Sequence, residues 1–195
     1  MNALNTTAAI NLIKVAGIEI PDETDLQSLI DALVSISSVD ALTGLGNRRA
    51  LEVAVNASVA RRQRRGAASS LAMIDLDHFK AVNDTHGHRV GDDVIRLAAE
   101  AIRRHVRAGD TVARFGGDEF VVLLGDCDCD TAVTVAERIR TEMETIAAQY
   151  GVTMSIGVTE CVLGDTLEDA LERADNALYV SKKTRNTTSI GGATT

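Results

Sequence analysis

The apolar run Leu71-Ala72-Met73-Ile74 breaks directly into Asp75-Leu76-Asp77, and a second acidic pair, Asp118-Glu119, follows Gly116-Gly117. Apolar strands that end in acids can hold hard cations, because Mg²⁺ takes carboxylate oxygens at octahedral positions and keeps substrate phosphates as further ligands. The same residues have a plainer reading, in which Asp77 caps a helix beginning at His78 and Asp118-Glu119 is solvated turn chemistry. Two successive glycines allow positive φ and leave no side chain beside the turn, so a ligand can lie against it. After Asp77, the run His78-Phe79-Lys80 offers backbone N–H groups at a helix N-terminus plus a lysine, a cradle for phosphates. Asn83 and Asp92 can donate to or accept from a base edge, although singly such residues are more often caps. Arg107 and Asp110, taken alone, read as a surface ion pair.

These side chains need a frame, and the pattern supplies one. Ala50 to Arg65 reads as a helix stopped by Gly66, and Ser70 to Asp75 as a strand. Asp92 to Val106 is an amphipathic helix with Val94, Ile95, Ala98, Ala101 and Ile102 on one face. Thr111 to Phe115 and Glu119 to Leu124 are strand-like runs joined across Gly116-Gly117, a hairpin signal. Ala132 to Ala147 is a further helix, Val152 to Glu160 a strand, and Leu167 to Lys182 a last helix before a polar end, Thr187 to Thr195, expected to fray. Interleaved strands and helices predict an α+β fold, an α/β sandwich in which helices flank a central sheet.

Ahead of this lies a segment of different character. Leu4 to Ala16 is apolar-rich, Gly17 stops it, and Pro21 with Asp22, Glu23 and Asp25 restarts a helix, so two short helices are expected in residues 1–38. Leu26, Leu29, Leu33 and Ile36 form one narrow stripe there. It suits either packing on the chain's own domain or a self-association seam for regulation and dimerisation. The expected organisation is this segment, a domain over 39–190, and a disordered tail over 191–195.

Composition narrows the class. With 195 residues, 45% hydrophobic and 25% charged, the chain is neither disordered nor fibrous. A net charge of −8, from 28 acidic and 20 basic residues, works against a nucleic acid polymer or an anionic membrane as partner. It leaves room for a small phosphorylated ligand carried with Mg²⁺. No apolar run reaches the roughly 18 residues of a membrane span, and the N-terminus lacks a signal-peptide pattern, so the expected location is the cytoplasm. Cys127, Cys129 and Cys161 lack zinc-site spacing and read as reduced thiols.

Three segments taken together carry a resemblance. Asp40-Ala41-Leu42-Thr43-Gly44-Leu45-Gly46-Asn47-Arg48, Asp75-Leu76-Asp77-His78-Phe79-Lys80-Ala81-Val82-Asn83-Asp84 and Gly116-Gly117-Asp118-Glu119-Phe120 resemble the signature segments of the GGDEF family of diguanylate cyclases, over about three quarters of the chain. The resemblance implies a palm-like, mostly antiparallel sheet related to class III nucleotide cyclases. It also implies condensation of two GTP into cyclic di-GMP with release of two pyrophosphates, by a homodimer in which each protomer holds one GTP. Asp75, the Leu76 carbonyl and Asp118 would bind Mg²⁺ or Mn²⁺, with Glu119 completing the cluster, and Asp118 or Glu119 would accept the 3′-hydroxyl proton. Asn83 and Asp92 fall where the family reads guanine, and Lys80 with the Phe79 backbone falls at the phosphates. Arg107 and Asp110 occupy the family's RxxD product-inhibition site, with Arg138 as a further arginine there.

The resemblance departs at one place. The family's Tyr-x-Ala-Lys-x-x-Gly-Arg-Asn is here Tyr179-Val180-Ser181-Lys182-Lys183-Thr184-Arg185-Asn186, one residue short at the glycine. Lys182 carries over as a phosphate ligand, whereas Arg185 arrives a residue early at its phosphate. Two rival readings accompany the cyclase: a non-catalytic receptor binding cyclic di-GMP through Arg107, Asp110 and Arg138, and a structural dimerisation module.

Overall fold

In the computed structural model, residues 38–192 are described. The two helices expected in residues 1–38, and the Leu26 to Ile36 stripe with them, fall outside the described residues. Five α-helices are present among them: α1 Arg48–Arg65, α2 Phe79–His86, α3 His88–His105, α4 Cys129–Ile146 and α5 Leu167–Thr184. The strands are β1 Ser69–Asp77, β2 Thr111–Arg114, β3 Glu119–Gly125, β4 Thr153–Glu160 and β5 Thr188–Gly191. Their order is β2-β3-β1-β4-β5, antiparallel throughout except for the parallel β4–β5 pair. This is the expected α+β architecture.

The period of two along β1 divides the core into two layers. Ala72, Ile74 and Leu76 face one layer, with Phe120 and Val122 of β3, Val94, Ile95 and Ile102 of α3, and Ala136, Ile139 and Met143 of α4. Leu71 and Met73 face the other, with Val121 and Leu123, Leu51 and Val55 of α1, and Ala174 and Leu178 of α5. Asp75 and Asp77 continue the second series, so both belong to the face that α5 covers. That helix packs directly on β4, because a Cβ at Gly157 would stand 2.2 Å from the Ala174 carbonyl oxygen. Close docking of α5 brings its C-terminal turn over the acidic end of β1.

Three local readings change. β1 runs on to Asp77, which is buried in the strand and caps nothing; the residue before α2 is His78, in the left-handed region at φ 63° with no side-chain cap. α3 begins at His88, four residues before the expected Asp92, so Asp92 is inside the helix, and α4 begins at Cys129 behind the Asp128 cap. The end expected to fray instead forms β5, which includes Gly191 and pairs Ile156–Thr159 with Thr188–Gly191. Pairing satisfies the backbone groups that the β4 edge would otherwise leave open; residues 193–195 lie outside the described residues.

Candidate active site

The β1–β3 register places Asp75 opposite Glu119, and the Leu76 N–H donates to the Asp118 carbonyl at 3.2 Å. Two segments far apart in sequence thus bring Asp75, Leu76, Asp118 and Glu119 to one sheet end. Burial pushes the Asp75 carboxyl above the usual carboxylate range; Lys182 pulls it down, while Asp118 and Asp77 add to the rise. Burial also raises Glu119, and repulsion from Asp75, Asp118 and Asp175 adds to it.

Asp77 lies at the centre of a second network. Its carboxylate, 1% exposed as a residue, accepts from Thr153 Oγ1 at 2.9 Å, Ser155 Oγ at 2.9 Å and the Asn186 N–H at 3.0 Å. Lys182 Nζ donates to Asp77 Oδ1 at 3.1 Å and also to Asp75 Oδ1. Burial works to raise Asp77, but these donors outweigh it and hold the carboxyl below its ordinary value. Asn186 is itself held by Arg140, whose Nη1 donates to Asn186 Oδ1 at 2.8 Å.

Hard oxygen donors, mutually repelling and partly desolvated, suit a divalent Mg²⁺ or Mn²⁺ in chemistry. Asp75 and Asp77 share the Lys182 ammonium, while Asp118 and Glu119 stand beside Asp75 with no ion pair of their own among the described residues, so negative charge is in excess. Among the described residues no three His, Cys, Asp or Glu side chains stand ready at ligand spacing. The fit therefore rests on the donor set and its excess negative charge.

The two hairpin glycines take different parts, and neither uses the positive φ that glycine allows. The turn is closed instead by the Phe115 and Gly116 N–H groups, which donate to the Glu119 carbonyl at 2.8 and 3.3 Å. What the turn needs is room. A Cβ at Gly116 would lie 2.2 Å from Glu119 Oε2, whereas one at Gly117 meets nothing within 4 Å. Arg114 fixes the turn from below, donating through Nη2 to the Gly117 carbonyl at 2.7 Å and pairing through Nη1 with Asp40 at 3.3 Å. Asp40 in turn accepts from the Thr43 N–H at 2.9 Å and hydroxyl at 2.6 Å. The first signature segment thus braces the acidic hairpin, a role for Asp40 and Arg114 that sequence reasoning missed.

Of the other candidate residues, Lys80 is exposed on α2 and Phe79 packs partly into the core. Asn83 and Asp92, both half-buried, sit on the paired helices α2 and α3, with the Asn83 side chain against Gly91.

Residues 37–188 match the family model described as "Diguanylate cyclase, GGDEF domain". The chain belongs to this family. It is 40% identical over 149 residues to diguanylate cyclase DgcP of Pseudomonas aeruginosa, covering 74% of this chain and 22% of that protein. It is 38% identical over 176 residues to the response regulator PleD of Caulobacter vibrioides, covering 86% and 39%. The chain therefore spans less than half the length of these curated relatives. Among solved structures it is similar to the GGDEF domain of DgcB from Caulobacter crescentus in complex with c-di-GMP, with TM-score 0.73 and 32% identity over 80% of this chain and 94% of that one.

The segment that falls one residue short of the motif it resembles has an unusual backbone. Arg185 ends α5 at φ 60°, ψ 167°, followed by Asn186 at φ 46°. Such a conformation is nearly confined to glycine, so Arg185 fills the backbone place of the missing glycine. Its side chain is exposed.

At the opposite end of the hairpin, Arg107, Asp110 and Arg138 line one cavity of about 60 Å³ together with His105, Gly125 and Cys127. Asp110 does not use its carboxylate on the guanidinium: it accepts from the Arg107 backbone N–H at 2.8 Å and from the Gly125 N–H at 3.1 Å. Arg107 and Arg138 are both exposed. The three cysteines are free thiols, and burial pushes Cys161 up to about 11.

Proposed function

We propose that this chain is a diguanylate cyclase domain that condenses two GTP into cyclic di-GMP and releases two pyrophosphates. The observation that carries the reading is the register of Asp75 against Glu119, with Asp118 beside them and Lys182 reaching in from α5. Asp75, the Leu76 carbonyl, Asp118 and Glu119 would hold Mg²⁺ or Mn²⁺. When bound, the ion neutralises charge on the α-phosphate and makes a ribose 3′-hydroxyl more acidic.

The chain's own groups do the rest. Lys182, freed from Asp75 and Asp77 as phosphates enter, follows the negative charge onto them, and Lys80 and the Phe79 N–H cradle the same group. Arg185 adds a guanidinium at the rim. Asn83 and Asp92 take the guanine edge, and Asp118 or Glu119, the latter already raised in pKa, accepts the 3′-hydroxyl proton. Two such sites face each other in a homodimer, since each 3′-oxygen attacks the other nucleotide. Arg107, Asp110 and Arg138 bind cyclic di-GMP as a feedback inhibitor, through the planar forks that suit phosphate and guanine. No helix among the described residues is long and apolar enough to cross a membrane; GTP supply places the activity in the cytoplasm.

A receptor without turnover is favoured by one feature alone, the displaced Arg185. Incubating the purified chain with Mg²⁺ and GTP and separating the nucleotides decides between them. Cyclic di-GMP at two pyrophosphates per product supports the cyclase; unchanged GTP, with cyclic di-GMP bound when added, supports the receptor.

A further inference from the structure

Glycine is a poor choice within a helix, costing about 0.5–1 kcal/mol relative to alanine. Gly91 nevertheless is the fourth residue of α3, buried, and without the positive φ that would demand glycine. A Cβ there would stand 2.0 Å from Asn83 Oδ1, 3.0 Å from Asn83 Cγ and 3.3 Å from the Phe79 ring. The Asn83 carboxamide therefore occupies the place of the absent side chain, against the bare backbone of α3 and one residue before Asp92.

The corner between the helices is fixed independently. The Gly87 N–H donates to the Asn83 carbonyl at 2.9 Å, and the Gly91 N–H donates to the Gly87 carbonyl at 3.2 Å. A methyl group at position 91 would thus turn the Asn83 side chain out before it parted the helices. We propose that Gly91 is a positioning residue for base recognition: its missing side chain is the slot that seats the Asn83 carboxamide beside Asp92. This rests on the reading of Asn83 and Asp92 as guanine contacts.

The test compares four forms of the whole 195-residue chain with GTP: parent, Gly91→Ala, Asn83→Ala and the double variant. Gly91→Ala should raise KM about three- to tenfold, the loss of one net hydrogen bond, with kcat changing less. Its thermal midpoint should not fall, because alanine is the better helix former. If Gly91 acts through Asn83, the double variant has the KM of Asn83→Ala alone, within about twofold. A double variant worse by the whole Gly91→Ala factor overturns the proposal. Should Gly91→Ala fail to fold, a folded double variant supports the slot and an unfolded one overturns it. Asn83→Ala with an unchanged KM would refute the base-reading role itself, and the proposal with it, whatever Gly91→Ala does.

Discussion

The β2–β3 hairpin carries opposite chemistry at its two ends. At the turn, Asp118 and Glu119 crowd Asp75, and the cluster is balanced by a lysine from α5 and braced by Arg114 and Asp40 from elsewhere in the chain. At the open end, about 20 Å away along the seven residues of β3, Asp110 locks its own turn through backbone N–H groups and leaves two arginines exposed. The acidic end holds repulsion that only folding imposes, so its function and its stability pull against each other. The arginine end is local, and there the two exposed guanidinium side chains are separate from the carboxylate that holds the turn.

The largest expected break is at the acidic end. Asp118→Asn should cut cyclic di-GMP formation by at least about a hundredfold, since it removes a charge from the set proposed to hold the metal. Yet it should raise the thermal midpoint of the metal-free protein near pH 7, because Asp118 contributes to the raised carboxyls of Asp75 and Glu119. The sign follows from linkage: a carboxyl raised on folding favours the native state when protonated, so stability falls as pH rises from the unfolded values of 3.8 and 4.5 through the raised ones. Asn at 118 should flatten that fall. Below 3.8 the opposite trend takes over, as the lowered Asp77 loses its contribution on protonation. Thermal midpoints from pH 3 to 7 for both proteins check this, and an unchanged or lower midpoint for Asp118→Asn near pH 7 contradicts it.

Next in size is the contrast between adjacent glycines. Gly116→Ala must displace the Glu119 carboxylate and should lower kcat about tenfold or more. Gly117→Ala meets no protein atom within 4 Å, so its stability should stay within about 0.5 kcal/mol and its effect should appear in KM. Steady-state kinetics beside a denaturation curve separate the two; equal kcat losses would mean that Glu119 is not what Gly116 makes room for.

The arginine end should break differently. Arg107→Ala should keep the initial rate and the stability of the parent while product accumulates past the level at which the parent stalls. Asp110→Ala removes the acceptor of two backbone N–H groups and should cost about 1–2 kcal/mol as well. Urea unfolding of both variants is the check, and equal stability would show the Asp110 turn to be dispensable. Smallest of all, Arg185→Gly should stabilise the chain by about 1 kcal/mol, the relief of a glycine-like conformation less the added freedom of the unfolded chain.

What the sequence displayed and what it hid divide along the same line. The acids of β1 and β3, the helix faces and the hairpin are local patterns, and all were readable from residue order. The sequence leaves a capping role open for Asp77 because its partners are remote: Lys182 and Asn186 lie 105 and 109 positions away, and Arg114 reaches Asp40 across 74. The only early sign was the period of two that puts Asp77 on the face of Asp75. β5 went unread because Thr-Ser-Ile-Gly is too short to show alternation and exists through its pairing with β4. That Gly116 makes room for the Glu119 carboxylate, rather than supplying a positive φ, is visible only in three dimensions.

One progress curve reads both ends of the hairpin together. Purified chain given Mg²⁺ and excess GTP, with pyrophosphate and nucleotide followed in time, should show an initial rate that vanishes on chelation of the metal. It should then reach a plateau with GTP remaining, and Arg107→Ala should lift that plateau without changing the initial rate. A folded protein that forms no cyclic di-GMP under these conditions, or one whose rate is the same with the metal chelated, would contradict the assignment of chemistry to Asp75, Asp118 and Glu119.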